Sequence, residues 1–211
     1  MSRGFAQIAF TPLVKEQQIR HGSRAQYERM EQIGAPGGAL TEYEKAFIAE
    51  RDSFYLATVS ETGWPYMQHR GGRVGFLGVL DDHTIGFADY RGNRQYISMG
   101  NLDHDDRVAL FLMDYPSRTR LKILGHAAVY EGEAAAPYTD QLTSSEERRF
   151  TERVVLIRVA AFDWNCQQYI TPRFTEEQVA KVIAPLRQQL VEAQEENRTL
   201  RQKIAALGQQ Q

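Results

Sequence analysis

The sequence has little cysteine, little net charge and no long apolar run. Its 211 residues include one cysteine, Cys166. A single thiol rules out an internal disulfide and a cysteine-rich zinc site. Against 27 Asp and Glu stand 25 Lys and Arg, a formal charge of −2. Non-specific nucleic-acid binding needs an excess of cations to neutralise phosphates, so no nucleic-acid partner is expected. No apolar stretch approaches the length of a membrane span, and the N-terminus has no apolar signal core. The expectation is a cytoplasmic protein without a membrane partner. Common catalytic fingerprints are also missing: no G-x-G-x-x-G after a strand, no P-loop and no G-x-S-x-G. The histidines His21, His69, His83, His104 and His126 share no metal-ligand spacing. The run Asp103-His104-Asp105-Asp106 reads as a solvated loop, because four consecutive residues cannot all face one ion. No metal is expected.

What is present, 42% hydrophobic and 25% charged residues, suits one compact domain with an extra segment. Residues 1–52 read as a helical segment packing on the barrel expected after it. Thr11 before Pro12 marks a helix start, and Ser23 can cap a second helix running towards Gln32. A linker with Gly34, Pro36, Gly37 and Gly38 comes next. Thr41 and Glu44 form a capping box, opening a helix that carries Tyr43, Phe47 and Ile48 on one face.

Residues 53–174 read as short strands separated by turns. Candidates are Phe54–Val59, Tyr66–Arg70, Val74–Leu80, Thr84–Asp89, Val108–Met113, Arg120–Tyr130 and Val154–Val159, with a helix inserted at Ala134–Leu142. Close spacing leaves no room for crossover helices, so a mainly β antiparallel barrel or sandwich is expected rather than a parallel sheet.

Residues 175–211 change character: no aromatic occurs after Phe174. Thr175 and Gln178 form a further capping box. Apolar residues then recur at heptad spacing, with Ile183, Leu190, Asn197 and Ile204 at position a and Leu186, Ala193, Leu200 and Leu207 at position d. A lone Asn at a fixes register in two-stranded coils, and Glu196 at g faces Arg201 at e of a parallel partner. The stripe suits a helix lying on its own domain or an intermolecular coiled coil, and its narrowness favours the coiled coil. Pro185 predicts a kink or a restart of the helix.

Three basic clusters beside glycines carry the candidate chemistry: Gln68 to Arg73, Asp89 to Tyr96, and Arg118 to Lys122. Arginine offers a planar fork of donors to phosphate or carboxylate, and glycine lets backbone N–H groups approach an anion. Solvated surface charge explains any one cluster. Three of them among turn residues favour a phosphorylated small molecule. Cys166 alone reads as a small buried apolar residue before it reads as a nucleophile.

At these clusters the sequence resembles the pyridoxamine 5′-phosphate oxidase-like superfamily, in its branch of flavin-nucleotide-binding proteins. The likeness rests on Ser53-Phe54-Tyr55-Leu56-Ala57-Thr58-Val59 with Gln68-His69-Arg70-Gly71-Gly72, then on Phe87 to Ser98, Arg120 to Gly125, and Ala161 to Cys166 through Thr171-Pro172-Arg173. It covers about residues 10–174. The resemblance implies an FMN-binding split β-barrel with flanking helices, a homodimer with flavin at the subunit interface, and FMN as cofactor.

Carried over residue by residue, it implies cofactor contacts from Gln68, His69, Arg70, Arg73, Phe87, Ala88, Arg91, Asn93, Arg94, Gln95, Tyr96, Arg120, Lys122, Trp164 and Arg173. Gln68 stands where the oxidases carry an arginine, so Arg70 or Arg73 supplies that charge. The oxidases' C-terminal Arg-x-His is missing from Asn165-Cys166-Gln167-Gln168-Tyr169, which argues against the vitamin B6 reaction. The branch often reads Cys-Pro-Gln-His there, and Gln167 and Tyr169 replace its Pro and His. The implied activity is an FMN-dependent oxidoreductase with an unknown small-molecule substrate. The alternative is a non-catalytic flavin- or haem-binding protein that uses its coiled coil to oligomerise or recruit a partner. No catalytic acid or base is identified; Cys166 and Tyr169 are candidates by position alone.

Overall fold

The computed structural model describes residues 3–33, 38–164 and 167–208. They form two compact units, one up to Ile170 and one from Thr171.

The first unit is a split β-barrel. Its strands are β1 (Ser53–Val59), β2 (Pro65–Gly71), β3 (Gly78–Asp81), β4 (Thr84–Tyr90), β5 (Arg107–Asp114), β6 (Thr119–Tyr130) and β7 (Thr151–Trp164). They make one sheet in the order β2-β1-β5-β6-β7-β4-β3, with every pair antiparallel. Alternation along β1 and β5 sends Phe54 and Leu56, and Val108, Leu110 and Leu112, to the buried face. They meet Ile85, Phe87, Leu121, Ile123, Val155 and Ile157 in one core. Three strands separate β1 from β4, which in a flat sheet is about 19 Å at ~4.8 Å per strand. Yet the rings of Phe54 and Phe87 lie 5.3 Å apart, edge to face. The sheet is therefore curled around its core, and the split lies between β2 and β4. Gly125 sits at a register shift where β6 bends against β7. A Cβ there would lie 2.6 Å from the Arg158 carbonyl oxygen, so only glycine lets the strands approach.

Four helices precede the sheet: α1 (Arg3–Ala9), α2 (Pro12–Arg20), α3 (Arg24–Ile33) and α4 (Glu42–Ala49). Thr11 caps α2 with Pro12 in its first turn, and the capping box of Thr41 and Glu44 opens α4, as the sequence predicts. Phe5 and Ala6 of α1 are buried. Two more helices lie within the sheet sequence, α5 (Ile97–His104) and α6 (Ala136–Leu142).

Several expectations need correction. The strand expected over Val74–Leu80 is only Gly78–Asp81, because Gly75 turns the chain at φ +78°. The strand expected over Val154–Val159 runs from Thr151 to Trp164, since it pairs with β6 along most of its length. Asp103 and His104 close α5 rather than lie in a loop. Tyr43 and Phe47 share the face that meets Trp164, as expected, but Tyr43 stays largely exposed while Phe47 and Ile48 are buried. Gly34, Pro36, Gly37, Asn165 and Cys166 lie outside the described residues.

The second unit holds one long helix, α7 (Glu176–Gly208), opened by reciprocal hydrogen bonds between Thr175 and Gln178. It continues through Pro185, where a kink or restart is expected. Pro185 falls at heptad position c, away from the stripe, and removes a single backbone donor from a helix of 33 residues. Among the described residues, no helix is long and apolar enough to cross a membrane.

Candidate functional site at the barrel seam

Where the sheet stays open, a cleft of about 240 Å³ lies between β2, the end of β4 and the start of α5. β2 is an edge strand, and alternate residues Tyr66, Gln68 and Arg70 turn to the cleft while Met67 and His69 turn away. Arg70 reaches across the split to the Asp89 carboxylate on β4, at 2.5 Å. Its guanidinium also lies 5.7 Å from the Phe87 ring. The Arg70 Nε is buried and has no hydrogen-bond partner among the described residues.

Residues 91–96 form the lip of the cleft. Asn93 Oδ1 accepts from the Gln95 N–H at 3.2 Å. Arg94 and Tyr96 both take left-handed backbone, at φ +60° and +53°. Such conformations cost about 1–3 kcal/mol each in non-glycine residues and persist only where the surroundings enforce them. Arg94 Nε donates to the Tyr96 hydroxyl at 3.2 Å, and that hydroxyl donates to Glu152 at 3.0 Å.

The chain then enters α5, whose N-cap Tyr96 makes no side-chain capping bond. Ile97, Ser98 and Met99, the first residues of the helix, line the cleft. Its free N–H groups and the positive end of its dipole therefore face the cleft, an arrangement suited to an anion. Met99 reaches from the cleft into the core, and the helix is held by the Asn101 amide, which donates to Thr58 of β1 at 2.8 Å.

Charge in the cleft is mixed. Burial pushes the Asp89 carboxyl above its ordinary pKa, and the cations Arg70 and Arg153 pull against that. Arg94 projects over the lip with its pKa raised by the hydrogen bond to Tyr96. The donor set of Arg94, the α5 N-terminus and the orphan Arg70 Nε fits a ligand carrying a phosphate.

The seam thus gathers Gln68, Arg70, Asn93, Arg94, Gln95 and Tyr96 from the residues expected by sequence. The others lie elsewhere among the described residues. Phe87 and Ala88 are buried, Phe87 in the core. His69 packs edge to face on Tyr55, on the other face of β2. Arg73 pairs with Glu147 at 3.1 Å, and Lys122 with the buried Asp163 at 2.9 Å. Arg91 is exposed, and Arg120 lies 5.9 Å from the Phe111 ring. Trp164 packs between Tyr43 and Phe47, and its indole N–H donates to Glu44 at 2.7 Å, so it anchors α4. Tyr169 is exposed at φ +62°. Arg173 belongs to the second unit. Asp89, Ser98 and Glu152 join the cleft although the sequence does not single them out. Asp89 stands in the second basic cluster, but its role depends on the curl of the sheet.

The sequence profile of the pyridoxamine 5′-phosphate oxidase family matches residues 40–165, more than half of the chain. The chain belongs to this family. Among solved structures it is similar to HupZ of Group A Streptococcus, at 17% identity and a TM-score of 0.48, covering 64% of this chain and 99% of that one. It is similar also to an FMN-binding protein of Syntrophomonas wolfei, at 16% identity and a TM-score of 0.43, covering 71% and 97%. A third is General Stress Protein 26 of Bacillus anthracis, at 14% identity and 0.44, covering 62% and 92%. No curated protein matches the sequence.

Proposed function

We propose that this protein binds FMN at the barrel seam and acts as a flavin-dependent oxidoreductase distinct from pyridoxamine 5′-phosphate oxidase. The observation that carries the reading is the convergence of the uncapped α5 N-terminus, Arg94 and Arg70 on one cleft in a chain of this family. In this reading Arg94 and the α5 N–H groups hold the phosphate, and Asn93 and Gln95 shape the loop around it. Gln68 and Arg70 offer donors to the polar edge of the ring, with Tyr66 as a wall, while Tyr96 belongs to the phosphate lip. Bound FMN supplies two-electron chemistry that no side chain here can provide.

A cleft of about 240 Å³ is smaller than the ~300–1,000 Å³ typical of a ligand site. One chain therefore encloses part of a nucleotide, which supports a homodimer with the flavin shared between subunits. Lys122 and Arg120 on the sheet, and Trp164 and Arg173 further on, would then contact the cofactor only through a partner. The heptads of α7 support a second self-association, as a parallel coiled coil. The domains proposed are residues 1–52, 53–174 and 175–211.

A non-catalytic flavin-binding role is favoured by one observation. Among the described residues lining the cleft there is no histidine or cysteine, and the Asp89 carboxylate is engaged by Arg70.

The test is the visible absorbance of the purified protein, with identification of whatever heat releases. A yellow protein yielding FMN supports the reading, and cycles of NADH or NADPH oxidation then separate enzyme from carrier. Arg94→Ala should lower FMN affinity about tenfold by removing a charged donor, with an unchanged melting temperature. Full flavin content in that variant would refute the role given to Arg94.

A further inference from the structure

We propose that Glu152 and Arg153, at a β-bulge on β7, are positioning residues that hold Tyr96 and through it the anion-binding lip. The inference rests on the phosphate reading of that lip. It starts from the register of β7 against β4. Ala88 pairs with Val154 and Asp89 with Arg153, but Tyr90 pairs with Thr151. Glu152 is thus an extra residue with no partner on β4. In a regular strand Glu152 and Arg153 would point to opposite faces. A bulge re-aims side chains, and here both reach the same tyrosine.

Arg153 is buried and lies with its guanidinium 5.0 Å from the centre of the Tyr96 ring. Glu152 accepts from the Tyr96 hydroxyl at 3.0 Å and pairs with Arg153 at 2.9 Å. The ring is therefore gripped on its face by a cation and at its hydroxyl by a carboxylate. The same hydroxyl accepts from Arg94 Nε at 3.2 Å. Arg153 Nε lies at ion-pair distances of 3.8 Å from Asp89 and 3.4 Å from Glu131, and makes no hydrogen bond among the described residues.

Neither Arg94 nor Tyr96 is glycine, and both sit in left-handed backbone. The lip needs an external hold to keep that shape, and the bulge supplies it. Neither bulge residue need touch the ligand's ring for this to matter. Their effect should fall on the phosphate alone.

FMN and riboflavin differ by that phosphate, so they separate this role from a general loss of structure. Both are titrated against the full-length protein by quenching of flavin fluorescence. The wild type should prefer FMN, and Arg94→Ala should remove most of that preference. Arg153→Met should lower FMN affinity about tenfold and leave riboflavin unchanged. Arg153→Lys, which keeps a cation over the ring, should stay within about threefold of wild type.

Arg153→Met with wild-type preference overturns the proposal. So does a parallel loss of both flavins with a lower melting temperature, since that is a structural role. If Arg153→Met does not fold, Glu152→Gln and Tyr96→Phe decide, each expected to cut the FMN preference about threefold at unchanged melting temperature; full preference in both overturns it. Loss of preference in Arg94→Ala with Arg153→Met intact refutes this inference and leaves the phosphate reading standing. A wild type without FMN preference refutes both.

Discussion

The two units of this chain dispose of their apolar side chains in opposite ways. In the barrel, Leu121 and Ile123 are fully buried and sit among residues drawn from five strands and two helices. In α7, Leu186, Leu190 and Leu200 are each about half exposed, at 58%, 58% and 49%. The barrel satisfies its own pattern. The helix keeps a seam of apolar residues along a rod about 50 Å long, at 1.5 Å per residue for 33 residues. Capping and propensity shape such a helix locally, but most helical stability in proteins comes from packing an apolar face. The comparison teaches that one sequence pattern fills a core while the other leaves an apolar stripe exposed along a helix.

The sharpest way to break that comparison is to cut the core. Leu121→Ala removes a fully buried side chain from the middle of the barrel, at an expected cost of about 2–5 kcal/mol. Urea unfolding monitored by tryptophan fluorescence reads it. A loss below about 1 kcal/mol would mean that the core is not close-packed around β6.

A smaller effect is expected at the start of α4. Thr41 and Glu44 form a reciprocal capping box, and Glu44 also accepts from the Trp164 indole at 2.7 Å. Thr41→Ala should cost about 1 kcal/mol at neutral pH. Burial raises the Glu44 pKa, but the bonds from Thr41 and Trp164 outweigh it and hold the carboxyl below its ordinary value. A depressed carboxyl contributes stability above its unfolded pKa of about 4.3, and that stability is lost as pH falls through the folded value. The gap between Thr41→Ala and wild type should therefore shrink between pH 6 and pH 3. A gap that stays constant over that range would detach the cap from the Glu44 charge.

How much the sequence makes legible depends on the range of the interactions. Caps at Thr11, Thr41 and Thr175 are local, and all three are where their motifs put them. β1, β4 and β5 follow from alternation or apolar runs bounded by turns. α5 is hidden because Ile97-Ser98-Met99-Gly100-Asn101 is a poor helix former on propensity. Tertiary contacts, such as Asn101 to Thr58, hold it instead. The same division runs through the cleft. Arg94 and Asn93 belong to a local Gly-Arg turn that shows in the sequence. The Arg70–Asp89 pair, 19 residues apart, exists only because the sheet curls. Glu152 reaches Tyr96 across 56 residues because of one bulge. Trp164 is visible as an aromatic near the end of the barrel, but its partner Glu44 lies 120 residues away.

The smallest effect on the barrel, and the one that most sharpens the comparison, is expected from Leu200→Ala. Leu200 is at heptad position d of α7 and about half exposed. Its loss should leave the barrel's urea midpoint unchanged within about 0.5 kcal/mol, as for surface sites in general. The informative quantity is helicity. Alanine is a better helix former than leucine, so in a solitary helix the change would hold or slightly raise the ellipticity. In a coiled coil Leu200 is a knob in the partner's hole, and its truncation removes packing from both strands. The ellipticity and its dependence on protein concentration should then both fall. The two possibilities differ in sign, so a dilution series by circular dichroism decides between them. Asn197, one turn before, sets the direction of a companion test: Asn197→Leu should strengthen association while relaxing its two-stranded register, because a buried polar residue at a trades stability for specificity. Both changes leaving association untouched would mean that the stripe on α7 has no second helix to meet.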